Sequence, residues 1–241
     1  MRMLQNRRVL VTGGSSGIGA ATARAVAAAG ARVAVLGRDR ARTAAVASET
    51  GGVPVLADVT DLDGVAAAVD GAADALGGLD ALVNAAGTMV AGTVTDTDPQ
   101  RWRDLFDVNV VGLLAVTRAA VPHLLRAEGP SVVNVSSMSG RRVARAEGGV
   151  YAATKAAVHT VGETLRLELQ PRGVRVTTIA PGFVRTPIAD GFPEGELGEY
   201  YRSRLAEVGL RPAAIADAVV HVLAQPAGVA VVEYAVLPTA Q

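Results

Sequence analysis

Cysteine is absent from this 241-residue chain, and lysine occurs once, at Lys155. The first absence excludes disulfides, thiolate catalysis and cysteine-ligated metal centres. The three histidines, His123, His159 and His221, stand far apart without metal-ligand spacing, so no metal site is expected. Net charge is absent too, because 23 basic and 23 acidic side chains balance. A neutral chain gives no electrostatic reason to bind nucleic acid or an anionic membrane. No apolar run is expected to reach the ~20 residues of a membrane-spanning helix. The opening MRMLQNRRVLVTGG carries charge but no apolar stretch of a secretion signal. Pro/Gly/Ser-rich linkers, repeats of roughly 20–50 residues and low-complexity tails are also missing. Together these absences lead to the expectation of a cytoplasmic enzyme or binding protein in one domain, residues 1–241. Half of the residues are apolar, enough for a real core.

What is present alternates. Short β-branched runs recur at 8–13, 32–37, 53–58, 80–87, 131–137, 174–182 and 229–237. Alanine-rich stretches with helical spacing lie between them, at 18–29, 62–76, 101–126 and 151–169. Apolar strands separated by helices of this length imply βαβ units. The expectation is an α/β fold, a doubly wound parallel sheet of about seven strands with helices on both faces. One long stretch, 182–209, is polar and glycine-rich and reads as an irregular segment, a candidate substrate lid over about 183–209.

The first strand runs straight into TGGSSGIG, Thr12 to Gly19, and a helix opens directly behind it. Glycines at 13, 17 and 19 allow a tight turn and a close approach by a pyrophosphate. The helix N-terminus then offers free N–H groups and a positive dipole end. Such a turn after the first strand of a βαβ array points to a nucleotide.

With TGxxxGIG, NAAG at 84–87 and YxxxK in this order, the chain resembles the short-chain dehydrogenase/reductase family. The resemblance runs from Val9 to about Leu237 and rests on five motifs: the glycine turn, Asp58-Val59, NAAG, SSMSG with YAATK, and APG. It implies a Rossmann-type sheet, a nicotinamide cofactor and a catalytic set of Asn109, Ser137, Tyr151 and Lys155. The implied cofactor contacts begin in the turn, at Gly13, Ser15, Ser16, Gly17, Ile18 and Gly19. They continue at Gly37, Arg38, Asp58, Val59, Asn84, Ala85 and Gly87, then at Tyr151 and Lys155, and end at Pro181, Gly182, Val184 and Thr186. Two departures stand out: the family's usual NNAG is NAAG here, and its usual glycine pair after the last strand is missing. That ending looks like a branch of NADP-dependent reductases with broad small-carbonyl activity.

The lone lysine has a chemical reading. Reducing a carbonyl needs a hydride on carbon and a proton on oxygen, and a phenol near pKa ~10 donates poorly at neutral pH. A nearby positive charge lowers that pKa, and positions i and i+4 share one helix face. Lys155 is therefore expected to lower the pKa of Tyr151. In the family the lysine also binds the nicotinamide ribose and passes protons onward. Arginine keeps its charge and cannot release a proton, which explains a lysine in a chain otherwise given to arginine. Ser137 would bond the substrate oxygen, and the backbone carbonyl of Asn109 would hold a water in the relay.

At the end of the second strand an acid accepts the ribose hydroxyls of NAD, whereas a base pairs with the extra phosphate of NADP. Gly37 stands where the family's NAD-type aspartate would be, Arg38 follows, and Asp39 reads as a helix cap. NADP(H) is expected over NAD(H). Asp58 would accept from the adenine amino group beside Val59, or cap a helix.

For the substrate pocket the candidates are Met89, Met138, Ser139, Val143 to Arg145, Gly182, Phe183 and lid residues to about Tyr201. Arg141, Arg142 and Arg145 could recruit an anion, which Glu194, Glu196 and Glu199 on the lid oppose. The chain thus reads as an NADPH-dependent ketone or aldehyde reductase, reversible to alcohol oxidation. The alternatives are an epimerase or dehydratase on the same scaffold, or a non-catalytic dinucleotide sensor. A small-molecule carbonyl or alcohol is the expected partner. A homo-oligomer is also expected, a tetramer before a dimer, built through the helices at 101–126 and 151–169.

Overall fold

The computed structural model describes residues 3–241. Seven strands form one parallel sheet: β1 (Arg8–Thr12), β2 (Arg32–Gly37), β3 (Val53–Leu56), β4 (Ala81–Asn84), β5 (Ser131–Val135), β6 (Arg175–Pro181) and β7 (Glu233–Val236). Their order is β3-β2-β1-β4-β5-β6-β7. The helices are α1 (Gly17–Ala28), α2 (Arg40–Thr50), α3 (Leu62–Leu76), α4 (Pro99–Phe106), α5 (Gly112–Leu124), α6 (Gly149–Leu169), α7 (Glu196–Val208) and α8 (Pro212–Leu223).

Successive residues of a strand point to opposite faces, so the sheet separates two cores. Val9, Val11, Val33 and Val35 meet α1 and α8 on one face, while Leu10, Ala34, Leu36 and Leu82 meet α3 and α5 on the other. Burial on both faces explains why these strands read as unbroken apolar runs. Caps set the helix ends. Asp39 accepts from the Arg42 N–H at 2.9 Å to start α2, and Asp61 from the Gly64 N–H at 3.0 Å to start α3.

A polar row crosses the sheet. Thr12, Asn84, Asn134, Thr178 and Glu233 stand side by side across five strands, at or near the carboxyl ends of β1, β4 and β5, in the middle of β6 and at the start of β7. Thr12 Oγ1 accepts from the N–H groups of Ala85 and Ala86, both at 3.1 Å, and so shapes the loop after β4. Strand order reverses direction between β1 and β4, and a crevice at that switch point is the usual ligand site of open α/β sheets.

Three expectations are corrected. The helix expected at 101–126 spans Pro99–Leu124 and is interrupted by a π-helical turn, Asp107–Val111. An 18-residue window of this 26-residue run has a mean hydropathy of 1.5, so the run is long and apolar enough to cross a membrane by length and composition, contrary to the sequence expectation. Here α5 packs against α3 and the sheet. The stretch 182–209 is not irregular: it holds a 3-10 turn, Pro187–Gly191, and the 13 residues of α7. Leu197, Tyr201 and Leu205 recur every four residues and give α7 an apolar face, which Gly195, Gly198 and the charges between them obscured.

Candidate active site

Two cavities meet above the carboxyl ends of the strands. The larger, about 680 Å³, follows the loops after β1, β2, β3 and β4. Its first wall is the turn of Gly13, Ser15, Ser16, Gly17, Ile18 and Gly19. Gly13 and Gly17 have φ of +61° and +52°, and a Cβ on Gly13 would come within 2.8 Å of the backbone of Ala85 and Ala86. Ser16 makes no side-chain cap on α1, and no acid stands in the first turn. The leading N–H groups of α1 therefore face the cleft with no carboxylate against them, an arrangement suited to a pyrophosphate.

Gly37 and Arg38 line the far end, with Asp58 and Val59 opposite. Arg38 is 78% exposed and its Nη1 lies 3.9 Å from Asp58 Oδ2. So exposed and long an ion pair holds the guanidinium weakly. Arg42 also lines the cleft, paired with Asp39 at 2.7 Å. The only sequence signal for Arg42 is its place one helical turn after the Asp39 cap. Asp58 bonds the N–H and hydroxyl of Thr60, and Asp61, not Asp58, caps α3. Ala85, Gly87, Tyr151, Lys155 and Thr186 complete the wall.

Four expected cofactor residues lie elsewhere. Asn84 is buried, and its Nδ2 donates to Thr117 Oγ1 and Asn134 Oδ1, both at 2.9 Å. Its strand-end position turns it into the α5 packing rather than the cleft. Pro181, Gly182 and Val184 line the second cavity, because β6 carries its exit loop past the cleft.

Tyr151 and Lys155 sit on the first turns of α6, one above the other, and both are buried. Lys155 Nζ donates to the Val135 carbonyl at 3.0 Å and lies 5.9 Å from the Tyr151 ring centre. Burial pushes the Tyr151 phenol up to about 12, opposed by a hydrogen bond from the Ser137 side chain. Burial alone pulls the Lys155 ammonium down to about 8. Burial of both side chains opposes the lowering of the phenol expected from Lys155, since desolvation disfavours both charged forms.

Asn109 lies within the π turn, 1% exposed. Its side chain donates to Thr88 O and Thr154 Oγ1, both at 3.0 Å, and accepts from Thr88 N at 2.9 Å. The side chain is therefore fully engaged, and Asn109 lines neither cavity. A Cβ on Gly87 would lie 3.3 Å from Asn109 Oδ1 and 3.5 Å from Lys155 Nζ, so the three meet at one point.

The second cavity, about 330 Å³, shares Tyr151 with the first and contains Ser137. Met89, Met138, Ser139, Val143, Ala144, Arg145, Gly182, Phe183 and Tyr201 line it as expected. Arg204 and Leu205, within α7, and Gln241, at the end of the chain, also line it and carry no motif in the sequence. Gln241 Oε1 accepts from the Phe183 N–H at 2.8 Å. His159, which has no metal-ligand spacing in the sequence, bridges Glu233 at 3.0 Å and the Ser137 carbonyl at 3.4 Å with its ring.

Comparison with known proteins agrees with this geometry. A family model described as short chain dehydrogenase matches residues 7–196. An uncharacterized oxidoreductase of Staphylococcus epidermidis is 36% identical over 240 residues, covering 99% of this chain and 100% of the relative. A short chain dehydrogenase from Burkholderia cenocepacia, solved in complex with NADP, superposes with a TM-score of 0.86 at 36% identity and 97% coverage of both chains. A 3-ketoacyl-(acyl-carrier-protein) reductase from Brucella melitensis, complexed with NADH, has a TM-score of 0.86 at 30% identity, covering 97% of this chain and 98% of its own. The chain belongs to the short-chain dehydrogenase/reductase family and is an oxidoreductase of that type.

Proposed function

We propose that this chain is an NADP(H)-dependent reductase that delivers hydride to a ketone or aldehyde and runs reversibly as an alcohol dehydrogenase. One observation carries the reading: Tyr151 is the buried acid shared by a cleft suited to a dinucleotide and a second cavity that contains Ser137. When bound, the nicotinamide supplies or accepts the hydride.

The chain's own residues do the rest. The Ser137 hydroxyl bonds the carbonyl oxygen and orients it. The Tyr151 hydroxyl transfers its proton to that oxygen as negative charge develops there. Lys155, with its ammonium near 8, can give up and regain a proton at neutral pH, as an arginine could not. Its charge stabilises the phenolate left on Tyr151. The backbone carbonyl of Asn109, in a π turn, holds a water that returns the proton. Alpha7 and the turn before it form the lid over the substrate.

NADP(H) is favoured over NAD(H) by the absent acid at Gly37 and by the weakly held Arg38, with Arg42 one turn on. The Burkholderia relative carries NADP, whereas the Brucella relative carries NADH. The same reading includes a cytoplasmic homo-oligomer, a tetramer before a dimer. Phe106, Val111, Leu114 and Leu167 leave apolar surface exposed on the helices proposed to meet.

Replacing Tyr151 by Phe is expected to lower turnover roughly 10²–10⁴-fold and to leave NADPH binding nearly intact. Equal turnover in the variant overturns the mechanism. Tight NADPH binding without turnover on varied ketones, aldehydes and quinones would identify a sensor instead. Turnover of a substrate without net NADPH consumption would identify an epimerase or dehydratase.

A further inference from the structure

We propose that the second cavity takes a flat, apolar carbonyl compound bearing a carboxylate, with its carbonyl at Tyr151 and its acid group at Arg142 and Arg204. This rests on the reductase reading and names the substrate class of that same site.

The first observation is aromatic. The chain has only three Phe, four Tyr and one Trp, and five of these eight line this cavity: Tyr151, Phe183, Phe192, Tyr200 and Tyr201. Phe192 and Tyr201 stack with ring centres 4.9 Å apart, and Tyr200 meets Tyr201 edge-on at 5.4 Å. Such walls favour a flat apolar body, because aromatic pairs add to simple area burial. A volume of about 330 Å³ is near the lower end of ligand pockets and suits a compact molecule over a long chain.

The second observation is electrostatic. Arg142, Arg145 and Arg204 line the cavity, and no aspartate or glutamate does. Glu194, Glu196 and Glu199, the acids that argued against an anion in the sequence, are absent from the wall. On α7, Glu199 lies well around the helix from Tyr201, Arg204 and Leu205, whereas Glu196 shares the row of Tyr200 and Arg204 but stands two turns before Arg204; both acids are exposed and outside the wall. Arg141 turns away to Glu233, with its Nε bonded at 2.6 Å.

The three cavity arginines are not equivalent. Arg145 lies 4.6 Å over the Tyr200 ring and pairs with Glu147, so it serves as wall. Arg204 pairs with Glu207, whose side chain is 63% exposed. An exposed pair of this kind is weak, so Arg204 can exchange partners at little cost. Arg142 has no ion pair among the described residues. A carboxylate entering with an apolar body would meet two guanidiniums and no carboxylate in the cavity wall, with Glu207 outside it as the competitor for Arg204.

The test compares 4-acetylbenzoate with its neutral isostere 4-acetylbenzamide, NADPH being the reductant. In the wild type kcat/KM is expected to favour the acid roughly 10- to 100-fold, the worth of one charge-assisted bond. That ratio should shrink in high salt and fall toward unity in the double variant Arg142→Gln/Arg204→Gln, with an unchanged melting temperature showing that it folds. Arg141→Gln, altered outside the cavity, should keep the wild-type ratio. An amide reduced as well as the acid, or a ratio indifferent to the double variant, overturns the proposal while the reductase reading stands. Thermal-shift titration with each probe separates the two readings. Acid-selective binding that the double variant abolishes, without turnover, supports the cavity assignment and counts against the reductase; binding of neither probe overturns the assignment.

Discussion

Burial lowers the Lys155 ammonium to about 8 and raises the Tyr151 phenol to about 12, and these shifts act on stability in different pH windows. Between about 8 and the ordinary 10.5 the unfolded chain binds more protons at Lys155 than the folded one, so stability rises with pH there. Between the ordinary 10.0 and about 12 the folded chain holds the extra proton at Tyr151, and stability falls. Below about 8 the full penalty of a buried ammonium applies, about 3 kcal/mol at ~1.4 kcal/mol per unit. The Val135 bond offsets about 1 kcal/mol of it. Lys155→Met is therefore expected to melt roughly 4–8 °C higher than wild type near neutral pH and to lose the rise toward pH ~10. Thermal melts of both proteins across that range check this; a variant no more stable at neutral pH than wild type would show the ammonium to be better solvated than its burial implies. At the other end of the cleft, Arg38→Ala should weaken NADPH roughly 10- to 100-fold and spare NADH, as read from the dissociation constants of both cofactors. Equal weakening of both would reduce Arg38 to a solvated surface residue. A Gly37→Asp switch toward NADH is less simple than the sequence suggests. A Cβ there would fall 2.6 Å from Thr43 Oγ1 and 3.0 Å from Ser15 Oγ, so that packing must also be altered. Tyr151, Lys155 and Ser137 were legible because fixed spacing on one helix or one strand end encodes them. Arg42, Arg204, His159 and Gln241 were not, since each reaches the site through contacts between elements that no local spacing records.

Among the elements, the strands were the most legible. A parallel strand covered on both faces is largely apolar, as in β1, β2, β4 and β5, and the partly exposed edge strands β3 and β7 also fall within their β-branched runs. Alpha7 was illegible for the opposite reason: it is covered on one side only, and Gly195 and Gly198 break its pattern. Its apolar side belongs to a small cluster of Ala91, Phe192, Tyr201 and Leu205, separate from the two cores that flank the sheet. Few buried contacts mean a low local opening free energy. Amide exchange in α7 should thus outpace that in α5, whose Val116, Ala120 and Leu124 are fully buried. Leu205→Ala should speed exchange in α7 further while changing NADPH affinity little. Protection of α7 equal to that of α5 would mean the segment is part of the main cooperative unit. The π turn at Asp107–Val111 was also unread, because it adds one residue to a helix whose apolar spacing continues on either side.

Across the whole molecule, the parallel sheet brings every strand's carboxyl end to one edge, and loops separated by more than a hundred residues converge there. The two-cavity arrangement follows from that convergence. It also isolates Lys155, which is 5% exposed and is the only side-chain amine in the chain. The exterior therefore offers amine-directed reagents no side chain to modify. An acylating reagent at moderate pH has a single slow side-chain target, reached only through the nucleotide cleft. Intact mass spectrometry should show at most one side-chain adduct, formed in step with loss of activity and prevented by bound NADP. Arginine richness at the surface thus turns a general chemical label into one that counts open active sites.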